Sequence, residues 1–184
     1  NPKDIYLRNK KEFSWMPPKN ADCLLNLEKG AGQVRTNGRF ALLCNMDKFK
    51  TILQVQLNKI KDSTIIDKQK YSLIDNDVEI YVIGSIAGGT GCGTFIDIGY
   101  LIRKHFESTK DRRYKLCANL FLPHVYKQMF GMDPTNPQTA NMYPNAYAAL
   151  NDLDFLMHTS MQNPIYLSYA NGEEFFDTAP YHAV

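Results

Sequence analysis

From Ala87 to Thr94 the chain reads AGGTGCGT, which places Gly88, Gly89, Gly91 and Gly93 within six residues. Glycine loses more backbone freedom on folding than any other residue, so a cluster of glycines asks for a compensating contact. A β-branched and aromatic run, Val78 to Ile83, precedes the cluster, and Phe95, Ile98, Gly99, Ile102 and Phe106 follow it at helical spacing. A strand, a glycine-rich turn and a helix in that order direct free backbone N–H groups at an anion beside the helix N-terminus. The helix dipole adds about 0.3–1 kcal/mol to that attraction, rising to about 2 kcal/mol in a partly buried site. Thr90 offers a hydroxyl donor at the same place. The plainer reading is a tight strand–helix turn whose glycines serve packing alone.

Two familiar phosphate loops do not fit. A P-loop carries a lysine directly after its last glycine, and the nearest lysine here is Lys104. The dinucleotide pattern G-x-G-x-x-G fails from Gly89, where its third glycine is Thr94, and from Gly88, where its second is Thr90.

The elements that must hold this loop alternate between strand and helix. Residues 1 to 20 mix charged and aromatic groups and end in Met16-Pro17-Pro18, a loop signal. A short apolar run, Cys23 to Leu27, is closed by Gly30-Ala31-Gly32, and a second turn is expected at Asn37-Gly38. From Phe40 to Ile60, the spacing of Phe49, Ile52, Leu53, Leu57 and Ile60 predicts one amphipathic helix packed on a sheet. Asp62 to Asp77 is polar and reads as a loop, and Val78 to Ile83 as a buried strand. Leu116 to Leu122 is a second buried strand, stopped by Pro123. A long Pro- and Asn-rich loop runs to Pro144, after which Ala146, Ala149, Leu150, Leu153 and Met157 mark another helix. The end reads as a hairpin with Asn171-Gly172 at its turn, leading into a further strand. The class is therefore α/β with a mainly parallel sheet. Residues 1–184 read as one partial domain: a leading segment 1–20, a core 21–160, and a hairpin and strand start in 161–184.

Composition narrows the function classes. With 44% hydrophobic and 22% charged residues the chain is ordinary for a globular protein. A net charge of +2 gives no strong field toward nucleic acid or an anionic membrane. The basic cluster Lys110-Asp111-Arg112-Arg113 is interrupted by an acid and reads as a solvated loop end. No apolar run approaches the roughly 20 residues of a membrane span. Cys23, Cys44, Cys92 and Cys117 are scattered without a C-x-x-C pair, which points to reduced thiols and a cytoplasmic location. The chain opens on Asn1 and reads as a piece of a longer one.

The glycine loop resembles the G-G-G-T-G-[ST]-G signature of the tubulin/FtsZ superfamily, standing here as Ala87-Gly88-Gly89-Thr90-Gly91-Cys92-Gly93. Ala87 replaces the first glycine, and Cys92 replaces a hydroxyl residue with a thiol. Two further landmarks keep the family's order. GAGQVRTNGRF, Gly30 to Phe40, is similar to the tubulin G-A-G-N-N loop that precedes a long helix. YPNAYAALNDL, Tyr143 to Leu153, is similar to the helix that begins EPYNA. The bacterial tubulin-like proteins, with A-G-G-T-G and N-A-Y-A-A-L, look nearest.

The resemblance implies a Rossmann-like three-layer GTPase domain, incomplete at both ends. It implies that Gly30, Ala31, Gly32 and Gln33 face the terminal phosphate and switch between order and disorder with GTP or GDP. It implies that Ala87, Gly88, Gly89, Thr90, Gly91 and Cys92 cradle the phosphates, with Mg2+ accompanying the nucleotide. Asn145, or Asn141 before it, is the candidate for the ribose, although Tyr143 stands where tubulin has an acidic residue. Self-association into filaments is implied for the full-length protein, with hydrolysis only on assembly. No catalytic residue is assigned within these residues, and the segment alone is expected to be inactive. Two other readings stay open: a non-hydrolysing structural module of the same fold, and an unrelated α/β enzyme that binds a phosphate ester.

The remaining groups read more simply. Cys92, at a helix N-terminus, is either a reactive thiol of lowered pKa or a small residue in a packed loop. His105, His124, His158 and His182 lack the company of a metal site. Glu173, Glu174 and Asp177 read as a solvated hairpin edge.

Overall fold

The alternation of apolar residues in 78–85 and 114–121 builds two strands in parallel, joined by a long helix. A computed structural model describes residues 1–22, 24, 30–61, 78–109, 114–126, 129, 135–136, 139–169 and 172–184. Strand β1 is Val78–Ser85 and strand β2 is Tyr114–Phe121, paired in parallel from Val78↔Tyr114 to Ser85↔Phe121. The expected loop at 62–77, most of the run at 23–27, the basic cluster at 110–113 and the turn residue Asn171 lie outside the described residues.

The helices, in chain order, are α1 (Pro2–Arg8), α2 (Pro18–Ala21), α3 (Arg35–Cys44), α4 (Met46–Lys61), α5 (Gly89–Thr109) and α6 (Met142–Met157). A 3₁₀ turn, Pro123–Tyr126, follows β2. Strands β3 (Ile165–Tyr169) and β4 (Gly172–Phe176) form an antiparallel hairpin, with Tyr169 opposite Gly172. At its end the chain returns beside β2. Ala118 N–H donates to Ala183 O at 2.9 Å and His182 N–H to Leu116 O at 2.8 Å, which makes an isolated parallel bridge between Ala183 and Cys117.

Period two sets the two faces of the β1–β2 pair. Val78, Ile80 and Val82 pack with Leu116, Ala118 and Leu120 into the cluster that α5 and α6 cover. Tyr81, Ile83 and Phe121, on the other face, are exposed while Cys117 there is buried, so β1 is not buried on both sides as expected and β2 is so only at its centre. A second cluster joins Tyr6, Phe13, Met16, Phe40, Tyr100 and Phe176, and ties the leading segment and the hairpin to α3 and α5.

Four other expectations are corrected. The leading segment contains a helix, because Asn1 Oδ1 accepts the Lys3 N–H and Pro2 sits at the first helical position. The amphipathic stretch is two helices broken at Asn45, whose Nδ2 donates to Ala41 O at 2.9 Å while its N–H closes on Leu42 O. Leu57 is buried as predicted, but Ile52 is 51% exposed. Asn37-Gly38 is not a turn: both residues lie within α3 and are buried. Glu174 is no solvated edge either, since its carboxylate accepts from Lys104 and pairs with Lys50.

Candidate functional site

The end of β1 and the start of α5 meet under tight steric control. A Cβ on Gly91 would sit 2.3 Å from Ser85 O, so the helix turns back directly over the strand it follows. One on Gly89 would lie 2.7 Å from both the backbone N and O of Val34, and one on Gly93 2.2 Å from Arg35 O. Facing them, a Cβ on Gly38 would lie 2.1 Å from Gly89 O. Helices α3 and α5 therefore cross almost backbone to backbone, and this explains Gly38 inside α3. Much of the glycine cluster is thus required by packing, with no ligand involved. Gly88 is different, because a Cβ there would meet nothing within 4 Å.

The approach of α3 brings its leading loop to the same place. Gly32 and Gln33 have φ of +58° and +57°, and the turn closes through Val34 N–H to Ala31 O at 3.0 Å. Two successive left-handed residues are the signature of a tight mirror-image turn, in which glycine is easily placed and glutamine is not. Gly30, at φ +94°, also needs its missing side chain.

These loops converge. Gly30, Ala31, Gly32 and Gln33 line one cleft of about 440 Å³ with Ala87, Gly88, Gly89, Thr90 and Gly91. Ser85, Tyr126 and Met142 also line it, and among the described residues every lining residue is uncharged. The cleft lies at the N-terminus of α5, whose first four N–H groups have no partner within the helix. The Ala87 N–H is already engaged, because it donates to Ser85 Oγ at 3.1 Å. Gln33 Oε1 is buried at the same cleft without a hydrogen-bond partner.

Two predicted residues stand behind the cleft. Cys92 is 1% exposed, and its thiol donates to Asn145 O at 3.1 Å. Burial pushes the Cys92 thiol up to about 11 against a lesser downward pull from Arg35, which is the opposite of a reactive N-terminal cysteine. Asn145 is buried, and its Nδ2 donates to Gln33 O at 2.8 Å and to Ala87 O at 3.2 Å. Both of its amide hydrogens therefore serve the protein. Asn141, the alternative ribose candidate, precedes α6 as its N-cap residue.

Sequence reasoning missed Tyr126 and Met142, which arrive from the 3₁₀ turn and the start of α6 and have no motif to mark them. It also missed the ion pair of Arg39 with Asp97, in which Nε and Nη2 donate to the two carboxylate oxygens at 2.9 and 3.2 Å. Arg39 also stacks 4.4 Å above the Trp15 ring. A second indentation, of about 260 Å³, is lined by Arg35, Arg39, Asp97 and Asp152. Its charges are paired, Arg35 with Asp152 at 2.6 Å and Arg39 with Asp97. They leave no net charge there for a ligand. Among the described residues no group of His, Cys, Asp and Glu could hold a metal ion, and no helix is long and apolar enough to cross a membrane.

A mixed helix–strand protein results, with a parallel strand pair and a cleft between two glycine-bearing loops. The chain belongs to the tubulin-like family: the model of that family, described as tubulin like, matches residues 5–181. No curated protein and no solved structure matches it.

Proposed function

We propose that the cleft binds the phosphates of a guanine nucleotide, GTP or GDP, as the nucleotide site of a tubulin-like protein. The observation that carries this reading is the convergence of loops 30–33 and 87–91 on one cleft at the N-terminus of α5. Among the described residues no lysine or arginine lines that cleft, and what these residues offer phosphate is backbone N–H groups, the helix dipole and the Thr90 hydroxyl. Gly88 gives phosphate oxygens close access to the chain. The terminal phosphate falls to loop 30–33. The described lining residues offer no carboxylate for a Mg2+ ion, which would be held by the phosphates. On this reading the βαβ unit is part of a Rossmann-like three-layer domain, and the intact protein self-associates into filaments in the cytoplasm and hydrolyses nucleotide on assembly.

A second reading has its own support. Gly89, Gly91 and Gly93 have packing roles, and Cys92 and Asn145 spend their polar groups inside the protein. Those contacts suit a non-hydrolysing structural module equally well. Titration of the intact protein with a fluorescent GTP analogue, competed by GTP, GDP, ATP and a small phosphate ester, tests both. Displacement by GTP and GDP, with turnover that rises with protein concentration, supports an assembly-coupled GTPase. Binding without turnover supports the structural module, and displacement by the ester alone refutes the nucleotide site.

A further inference from the structure

Asn145 touches both walls of the cleft from behind. Its carboxamide is buried, and a single NH2 group donates to Gln33 O in one loop and to Ala87 O in the other. The residue is held in turn from α5, because the Cys92 thiol donates to its backbone carbonyl. A parallel brace lies close by. Arg35, two residues beyond Gln33, donates through Nε to Cys92 O at 3.2 Å and through Nη2 to Asp152 of α6. Each loop has further ties to its own neighbours: 31–34 through its turn and Asn37 Nδ2 to Ala31 O, and 85–88 through Ala87 N–H to Ser85 Oγ and Ile86 N–H to Phe121 O.

We propose that Asn145 is a positioning residue that joins loops 30–34 and 85–88 into one conformational unit, so that ordering one loop by a ligand orders the other. The ligand half rests on the nucleotide reading, while the coupling stands without it. The physical basis is the shared donor. If Asn145 releases either carbonyl, that acceptor loses its partner and the loops remain joined only through the Gly89–Val34 packing, which carries no hydrogen bond to Gln33 O or Ala87 O. Gln33 makes the link sensitive, since its left-handed backbone is disfavoured for a non-glycine residue and needs outside contacts to persist. The device gives the site a means to report a terminal phosphate at Gln33 to the α5 N-terminus without direct contact between the two loops' side chains.

The test is amide hydrogen exchange on the intact protein without nucleotide, comparing wild type with Asn145→Asp. The substitution nearly conserves volume and turns a carboxylate oxygen toward two carbonyls. Asn151→Asp, the same change at an exposed position of the same helix, is the control. Exchange in both 31–34 and 86–88 is expected to rise about tenfold or more, while the centre of α5 and the control protein stay at wild-type rates. A rise in one loop only, or in neither, overturns the proposal. Should Asn145→Asp fail to fold, Asn145→Ser is measured in its place, and the same paired rise is expected at smaller size. A second arm adds GDP, which leaves the terminal-phosphate position at loop 30–33 empty, so any protection of 31–34 has to pass through the protein. In wild type it protects both loops; in the variant it protects 86–88 and leaves 31–34 exchanging, whereas equal protection in the variant overturns the coupling. Absence of protection in wild type refutes the nucleotide reading and leaves the first arm to decide the coupling.

Discussion

Gly89 meets Val34 backbone to backbone: a Cβ on Gly89 would lie 2.7 Å from both the amide nitrogen and the carbonyl oxygen of Val34. Neither is the movable end of a flexible side chain, so α3 and α5 have to separate if anything larger than hydrogen is placed there. Gly89→Ala is therefore expected to destabilise the protein by about 1–3 kcal/mol, in spite of alanine's higher helix propensity. Gly88→Ala, one residue away and facing open space, is expected within about 0.5 kcal/mol of wild type. Urea denaturation of the two variants measures the contrast, and equal effects contradict it.

Gly30 separates backbone strain from crowding. Nothing lies within 4 Å of a Cβ built there, yet its φ is +94°. Gly30→Ala is expected to cost about 1–2 kcal/mol from the backbone alone. A stability equal to that of Gly88→Ala, in the same denaturation experiment, contradicts this.

Asp97 is 2% exposed and is held by both donors of Arg39. Arg39→Met keeps much of the side-chain volume above Trp15 but leaves a buried carboxylate without its cation. We expect a loss of about 3–5 kcal/mol, since a buried charge without its partner carries its full desolvation cost. The double variant Arg39→Met/Asp97→Leu should recover most of that loss. Thermal or urea unfolding of the single and double variants completes the cycle, and additive effects in it contradict the pairing.

Cys92 is protonated and packed, so iodoacetamide should leave it unmodified in the native protein and label it after unfolding. The same burial gives a pH signature. The folded thiol titrates near 11 against an ordinary 9.0, so the unfolded chain loses its proton first. The native state then binds more protons, and stability falls as pH rises. The contribution of Cys92 is complete below pH 9 and is lost between 9 and 11. In that window, Cys92→Ala should show a shallower decline of stability with pH than wild type. An equal slope places the titration elsewhere.

The order of elements was readable in the sequence because β1, α5, β2 and α6 carry strong apolar periods. The convergence of Gly30–Gln33 with Ala87–Gly91 also followed the order of the motifs. The division of labour among the glycines was not readable, because Gly88 and Gly89 are chemically identical and differ only in what lies opposite. Asn37-Gly38 carried a turn signal that a tertiary contact overrode: α3 needs a glycine where Gly89 O approaches, and Asn37 Nδ2 reaches Ala31 O at 3.4 Å. Leu150 fits the apolar stripe of α6 but is 43% exposed, while Leu156 is buried in its place. Asn145 was singled out for a ribose contact, and its amide is engaged by the two loops. The pairing of Arg39 with Asp97 depends on the α3–α5 crossing, which no local pattern encodes.

Binding of a fluorescent GTP analogue to the intact protein carrying Gly88→Asp, with the melting temperature followed in parallel, tests the central claim most directly. Position 88 has open space for the side chain, and the carboxylate would enter the cleft where the phosphates are assigned. Tight binding by wild type and a loss of about tenfold or more in the variant, with melting unchanged, are expected. Equal affinity in the two proteins, or no binding by wild type, would contradict that claim.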